Sequence, residues 1–452
     1  MKINIYIIFT VLLMFTTSCE KDLGELNLDP TRVTEVGLRL MLPEIISQSM
    51  YSEAGTGGRA IGIVMQQFFG LDAQQLAYND YVMGEELMNN YWRTGLYAGA
   101  LRSCDVMIKQ ATVEGASFYS GVGKIVMANQ YGIATSWFGD IPMSQALLGT
   151  ENLKPAYDSQ QSVYSSVISM LDEAISLLGS ASGYAGGDVI YDGDAGAWIK
   201  TARALKARFL MHQAKRTPGN YAAALSEIAG SYAASSEQAI FTFGTALTAN
   251  YPLAKFGIGR PGTLGFHPQF AAMLEGDPRG DLFYIDDGSG NLLYYDPAFP
   301  FTKNDASIPM ISFAELKFME AEAQLAGGGD ASAALKAGIM ASMELSGADL
   351  VAGEAYADAV IAGGIDVETI ITEAYKGYYG HAFGSTWANY RRTGFPVLTP
   401  ASNGVNGLNP SGVVPQRFLY VSSETQTNSE NVAAARAAQG GGLLDAKLWA
   451  FE

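Results

Sequence analysis

Three histidines, two cysteines and a scatter of carboxylates are the residues of this 452-residue chain with the chemistry to catalyse a reaction or hold a metal. His212, His267 and His381 stand far apart; none belongs to an HExxH pattern, and no GxSxG turn or Cys–His signature accompanies them. His212 falls on an apolar helical face and is expected to be a satisfied core residue, whereas His267, in a Gly/Pro-rich loop, is expected nearer solvent. Asp192-Gly193-Asp194 opens like a calcium loop, but the twelfth position is Arg203 where a bidentate Glu is required, so an EF-hand is excluded. Asp286 with Asp287, or Asp277 with Asp281, suit either an irregular calcium site or, more simply, turns. Gly327-Gly328-Gly329 lacks a following Lys-Ser/Thr and reads as a helix C-cap and loop. Nothing singles out a carboxylate pair for acid–base work on a glycoside. The reading is therefore of a non-enzyme with no cofactor and no metal.

Aromatic residues make a stronger case, for binding. Irregular segments carry Tyr78, Tyr81, Tyr251, Phe256, Tyr284, Tyr294 and Tyr295, interspersed with Asn79, Asp80, Asn250, Arg260 and Asn291. A sugar ring presents an apolar C–H face and a rim of hydroxyls, so flat rings beside amide and charged side chains suit it. The same set would grip an extended peptide. Some of these rings must instead pack the loops onto the rest of the fold.

The elements that would position such loops read mainly as amphipathic helices. In SQQSVYSSVISMLDEAISLLGS, Val163, Val167, Met170, Ala174 and Leu178 recur at steps of four and three, with Gly179 as a stop. The next segment, AGAWIKTARALKARFLMHQAKR, repeats the pattern with Trp198, Ala202, Leu205, Phe209 and His212, while Lys200, Arg203, Lys206 and Arg208 mostly take the other side. Two similar helical pairs flank these, one over NNYWRTGLYAGALRSCDVMIKQA and SFYSGVGKIVMANQYGIATSWFGD, the other over SFAELKFMEAEAQLAG and DASAALKAGIMASMELSG. Cys104, three residues after Leu101 and four before Ile108, is expected to face the core. No clean 34-residue period is present. Between Glu237 and Ser307, and again from Arg392 to Glu430, the texture changes to Gly, Pro and aromatics, as expected of structured loops on a rigid scaffold.

The first residues decide compartment. Met1-Lys2, an apolar run from Ile3 to Phe15, then Thr16-Thr17-Ser18 before Cys19, follow the order of a secretory signal, with small residues before a cysteine as a lipoprotein signal peptidase requires. Residues 1–18 are expected to be removed and Cys19 acylated, with 19–35 a tether and arm ahead of one domain over 36–452. After cleavage a single thiol remains, so no internal disulfide can form. The formal net charge of −17 and the absence of a basic run argue against nucleic acid and against polyanions in general. The acyl chains would then supply the membrane attachment.

Several stretches together resemble one family: the lipoprotein start followed by LNLDPTRVTEV, the helix SFAELKFMEAEAQLAGG with GIMASMELSG, then DPRGDLFY, WANYRRTGFPVL, VPQRFLYVSSETQTN and the near-terminal KLWAF. In order and spacing they are similar to the SusD/RagB-like nutrient-binding outer-membrane lipoproteins. The resemblance implies an all-α-dominated fold, a tetratricopeptide-like helical-hairpin scaffold with loop-rich insertions and a few short strands. On that basis the scaffold is expected mainly over 36–236 and 307–395, with ligand-facing loops over 66–84, 237–306 and 396–430. It further implies a cell-surface lipoprotein that captures oligosaccharide or peptide for a SusC-like TonB-dependent transporter. Glu315, Glu320 and Glu322 would lie on a scaffold helix, with Arg391 and Arg392 anchoring a loop through carboxylate or carbonyl contacts. The rival readings are a helical-repeat adaptor that binds only protein partners and a surface glycosidase.

Overall fold

The computed structural model describes residues 36–452; Cys19, the expected leader over 1–18 and the expected arm over 19–35 lie outside the described residues. The longest helix among the described residues, Ser117–Phe138, is buried around nearly its whole circumference, its polar residues Ser120, Asn129, Gln130, Thr135 and Ser136 included, and runs through the interior. It packs against Arg102–Glu114, Gln160–Gly179 and Ala195–His212, and the last of these pairs in turn with Asn220–Ala229. Gly132 allows one of these close approaches, since a Cβ there would lie 2.3 Å from the ring of Phe209. A second set, Phe313–Ala326, Ser332–Ser346, Leu350–Ala362 and Val367–Gly377, packs helix on neighbouring helix around its own apolar cluster, which includes Phe318, Leu335, Ile339, Ile370 and Tyr378. Five of these helices start on a side-chain cap: Ser159, Asp194, Ser312, Asp349 and Asp366 each accept a hydrogen bond from an amide of the first turn.

The helical expectation holds, with instructive departures. In Gln160–Gly179 the core face takes Val163, Val167, Leu171, Ala174 and Leu178, with Leu171 fully buried and Met170 at the margin. In Ala195–His212 the five expected residues are all buried, but so is Arg208, contrary to its expected place on the outer side. Its guanidinium crosses to Glu315 at 2.6 and 2.8 Å and donates to the carbonyl of Met310 at 2.9 Å. A buried charge is tolerated because it is paired and fully hydrogen-bonded.

Three more guanidinium groups tie distant segments together. Arg392 grips Glu322 with two nitrogens, its Nη2 at 2.7 Å. Arg391 donates to the carbonyls of Ser136 (2.6 Å) and Gln416 (3.0 Å), between the rings of Trp387 and Phe451 at 4.1 and 4.0 Å. Arg279 has no exposed surface and binds Asp277 through Nε (2.9 Å) and Nη2 (2.6 Å), Glu373 at 2.9 Å and Ser342 at 2.7 Å. Asp277 is thereby an ion-pair partner and not half of a calcium site.

Among the described residues, strands form three two-stranded antiparallel ladders: Phe68–Gly70 with Leu264–Phe266, Ile240–Thr242 with Ser307–Pro309, and Ile285–Asp286 with Leu292–Leu293. The first joins two of the expected loop regions, with Phe68 opposite Phe266 and Gly70 opposite Leu264. The irregular stretches also hold more helix than their composition suggests, in Ala73–Asn79, Pro252–Gly259, Ser422–Thr427 and Ser429–Ala438.

Candidate functional site

Where the helix Leu38–Ser52 gives way to a π-helical turn, Glu53–Gly57, the backbone leaves helical geometry at Gly55. Opposite stands the helix Pro252–Gly259, started by a proline whose missing N–H costs nothing at that position. Between them, with the first residues of Ala73–Asn79 closing one side, lies a groove of about 710 Å³. Gly70 makes the tight entry to that short helix possible, because a Cβ there would fall 1.8 Å from the carbonyl oxygen of Gln75. Asn79 fixes the same turn: its side chain accepts from the Gly70 amide at 2.9 Å and donates to the Gly70 carbonyl at 2.6 Å.

Aromatic contact surface in the groove comes from Tyr51 and Phe256, amides from Gln74 and Gln75, hydroxyls from Thr56 and Thr263, and positive charge from Arg59, Lys255 and Arg260. The guanidinium of Arg59 lies over the Phe256 ring at 4.1 Å, and Lys255 Nζ lies 3.3 Å from the Tyr51 hydroxyl. Burial pulls the Arg59 guanidinium below its ordinary value; the groups that favour its charge are the phenols of Tyr294, Tyr78 and Tyr51. Its Nε has no hydrogen-bond partner. On the other side of Tyr51 a second depression of about 510 Å³ continues along Gln48, Phe241, Phe243 and Thr248.

The residues singled out from the sequence divide into two groups. Phe256 and Arg260 line the groove. Tyr78, Tyr81, Tyr251 and Tyr294 are buried, at 7, 2, 0 and 3% exposure, so their rings have no free face for stacking. Tyr251 donates its hydroxyl to the Gly380 carbonyl, the Tyr81 hydroxyl accepts from the Ala401 amide at 3.0 Å, and Tyr78 and Tyr294 stand beside Arg59. Tyr284 stacks on Phe266 with centroids 4.7 Å apart. Half-buried Tyr295 covers Gly257, where a Cβ would lie 2.5 Å from the ring. These rings pack the irregular segments onto the rest of the fold, and amphipathic periodicity gives no way to tell packing from ligand contact in such segments.

Tyr51, Arg59, Gln74, Gln75 and Lys255 were not singled out from the sequence. Arg59 carried one legible signal, being the single charge between Glu53 and Asp72 in an otherwise apolar and small-residue run. His212 is buried beside the Tyr164 hydroxyl at 3.2 Å, as its apolar face implied. His267 is only partly exposed; it caps a helix by accepting from the Gln269 amide at 3.1 Å, and burial lowers it to about 4. Asp286 and Asp287 accept from amides of their own turn, those of Gly288 and of Ser289 with Asn291. Among the described residues no cluster of three or more His, Cys, Asp or Glu side chains could hold a metal ion.

Solved structures share this fold along nearly the whole chain. A SusD/RagB family protein from Bacteroides thetaiotaomicron is 23% identical with a TM-score of 0.77, over 92% of this chain and 99% of that one. A chitin-binding protein is 24% identical with a TM-score of 0.76 over the same shares, 92% and 99%. A chitin-binding SusD homologue from Flavobacterium johnsoniae is 19% identical with a TM-score of 0.77, over 92% and 98%. At these identities the likeness establishes the fold. A search of curated proteins returns no match. The family model described as "Starch-binding associating with outer membrane" matches residues 30–421, and the chain therefore belongs to the SusD-like family.

Proposed function

We propose that this protein captures an oligosaccharide in the groove between Tyr51 and Phe256 and delivers it to a SusC-like TonB-dependent transporter, held at the cell surface by acyl chains on Cys19. The observation that carries the capture step is the lining itself: aromatic surface, side-chain amides and hydroxyls converge on an open groove of about 710 Å³, within the range of small-ligand sites. Ring carbon faces meet the aromatic surface, and sugar hydroxyls meet Gln74, Gln75, Thr56 and Thr263. Membership of a family associated with the outer membrane supports the location, and no helix of the described residues is long and apolar enough to cross a membrane. The role is binding and handover, with no bond made or broken.

Isothermal titration of the mature protein against a panel of oligosaccharides and peptides tests this reading. Phe256→Ala and Tyr51→Ala are expected to weaken a saccharide that binds by roughly 1–3 kcal/mol, the range for a ring that anchors a ligand. Binding of peptides alone would move the reading to peptide capture, and release of shorter products on long incubation would overturn the non-catalytic role.

A further inference from the structure

The groove has a charge character opposite to that of the molecule around it. Lys and Arg number 28 against 45 Asp and Glu in the chain, yet the lining holds Arg59, Lys255 and Arg260 and no carboxylate. These three come from two segments about 200 residues apart in sequence, which is why no basic run announces them. Nearby Glu53 faces away, accepting from Asn129 at 2.8 Å and Gln130 at 2.9 Å. Lys255 rests against a phenol, not a carboxylate, and Arg59 against the face of Phe256.

We propose that the ligand is an anionic oligosaccharide, carrying carboxylate or sulfate groups, whose charge is bound by Arg59 with Lys255 and Arg260. The proposal rests on the saccharide-binding reading and deepens it. A half-buried guanidinium whose Nε has no hydrogen-bond partner and beside which no carboxylate lies is an unfavourable arrangement in the empty protein. A neutral hydroxyl would accept a hydrogen bond from it but leave the charge uncompensated. A planar carboxylate or a sulfate does both, and matches the guanidinium fork with two parallel hydrogen bonds. Phe256 supports Arg59 from one side while offering apolar surface to a sugar ring. The net charge of −17 does not prevent this, because distant surface charges are largely screened beyond about 8 Å at physiological ionic strength whereas groups in contact are screened much less.

The test is calorimetric titration of the mature protein with four probes of matched length: an oligogalacturonate, a chondroitin sulfate oligosaccharide, neutral maltohexaose or chitohexaose, and an oligoglutamate peptide. At least one acidic saccharide is expected to bind more tightly than the neutral ones and to weaken as salt rises. Arg59→Gln should lower that affinity about 10- to 100-fold, the range of a charge-assisted hydrogen bond, with Arg59→Lys intermediate. Arg260→Gln, at an exposed position where folding is not at stake, should lower it several-fold. Preference for a neutral saccharide with both Gln variants unaffected overturns the anionic assignment and leaves saccharide capture standing. Binding of oligoglutamate alone, through the same residues, overturns both. Binding of no probe leaves saccharide capture and its anionic form equally refuted for these chemistries.

Discussion

Replacing Arg279 by Leu isolates the arrangement that joins the 237–306 segment to the second set of helices. The side chain is fully buried and spans Asp277 in that segment, Ser342 on Ser332–Ser346 and Glu373 on Val367–Gly377. Lys376 adds a second cation, 2.8 Å from Glu373 and 3.9 Å from Asp277, so two carboxylates face two cations. Arg279→Leu removes one cation, strands a buried carboxylate and leaves the Ser342 hydroxyl without its partner. Breaking a buried pair in this way costs about 3–5 kcal/mol. With an unfolding entropy near 2.1 cal/mol/K per residue over about 400 residues, that corresponds to a loss of roughly 4–6 °C in Tm. The loss must also depend on pH. Burial by itself would raise the Asp277 carboxyl, but the hydrogen bonds and charge of Arg279 bring it below its ordinary value. In the native protein this contributes stability that is fully present above the unfolded carboxyl value, about 3.9, and is lost as pH falls through the lower folded value. In Arg279→Leu burial acts with less opposition, the stranded carboxyl takes up a proton more readily, and the Tm deficit should narrow between pH 7 and pH 4.5. Adding Asp277→Asn to the variant should recover part of the neutral-pH loss. Calorimetric melting at the two pH values reads all of this. An unchanged Tm, or a deficit equal at both, would refute the reasoning.

Glu53, raised to about 7 mainly by burial, is held more tightly protonated in the folded state than in the unfolded one, so stability should fall as pH rises from about 4.5 to 7; Glu53→Gln should flatten urea midpoints across that window. Tyr251→Ala removes a fully buried ring and leaves the Gly380 carbonyl without its donor, and should cost about 3–5 kcal/mol in denaturant titration, an outcome a ligand-stacking tyrosine would not give. Cys104 is wholly buried, and burial raises its thiol, so thiol labelling of the native protein should be slow and should accelerate in denaturant; fast native labelling would place it at the surface.

Helices were the legible part of this sequence because a single face, buried over many turns, imprints its period on the chain. Ala195–His212 shows both the strength and the edge of that signal: the stripe from Trp198 to His212 is correct, while Arg208 is misplaced because its partner Glu315 lies 107 residues away. The motifs that mark the family were legible too, and Arg391 and Arg392 do contact carbonyls and a carboxylate, as the resemblance implied. Loop aromatics were not separable. A tyrosine in an irregular segment has no period to say which way it faces, and Tyr251 and Tyr294 proved to be core while Phe256 stayed accessible to the groove. The cationic lining escaped for a related reason: Arg59 and Arg260 become neighbours only through the pairing of Phe68–Gly70 with Leu264–Phe266 and the packing beside it.

That ladder has a consequence for how the chain matures. The strand Phe68–Gly70 is held from behind by residues far along the chain, Gln67 donating to the Tyr375 carbonyl at 3.0 Å and the Tyr375 hydroxyl to the Met65 carbonyl at 2.8 Å, each across more than 300 positions. The apolar cluster from Ala314 to Ala382 is local and can assemble from neighbouring helices as they form. The groove cannot, because closing such long loops is entropically costly and slow relative to local helix pairing. During refolding, helical signal should therefore return before the capacity to bind. The titratable fraction of binding sites in any preparation then measures how many molecules have completed the long-range closure, a quantity that helix content alone would overstate.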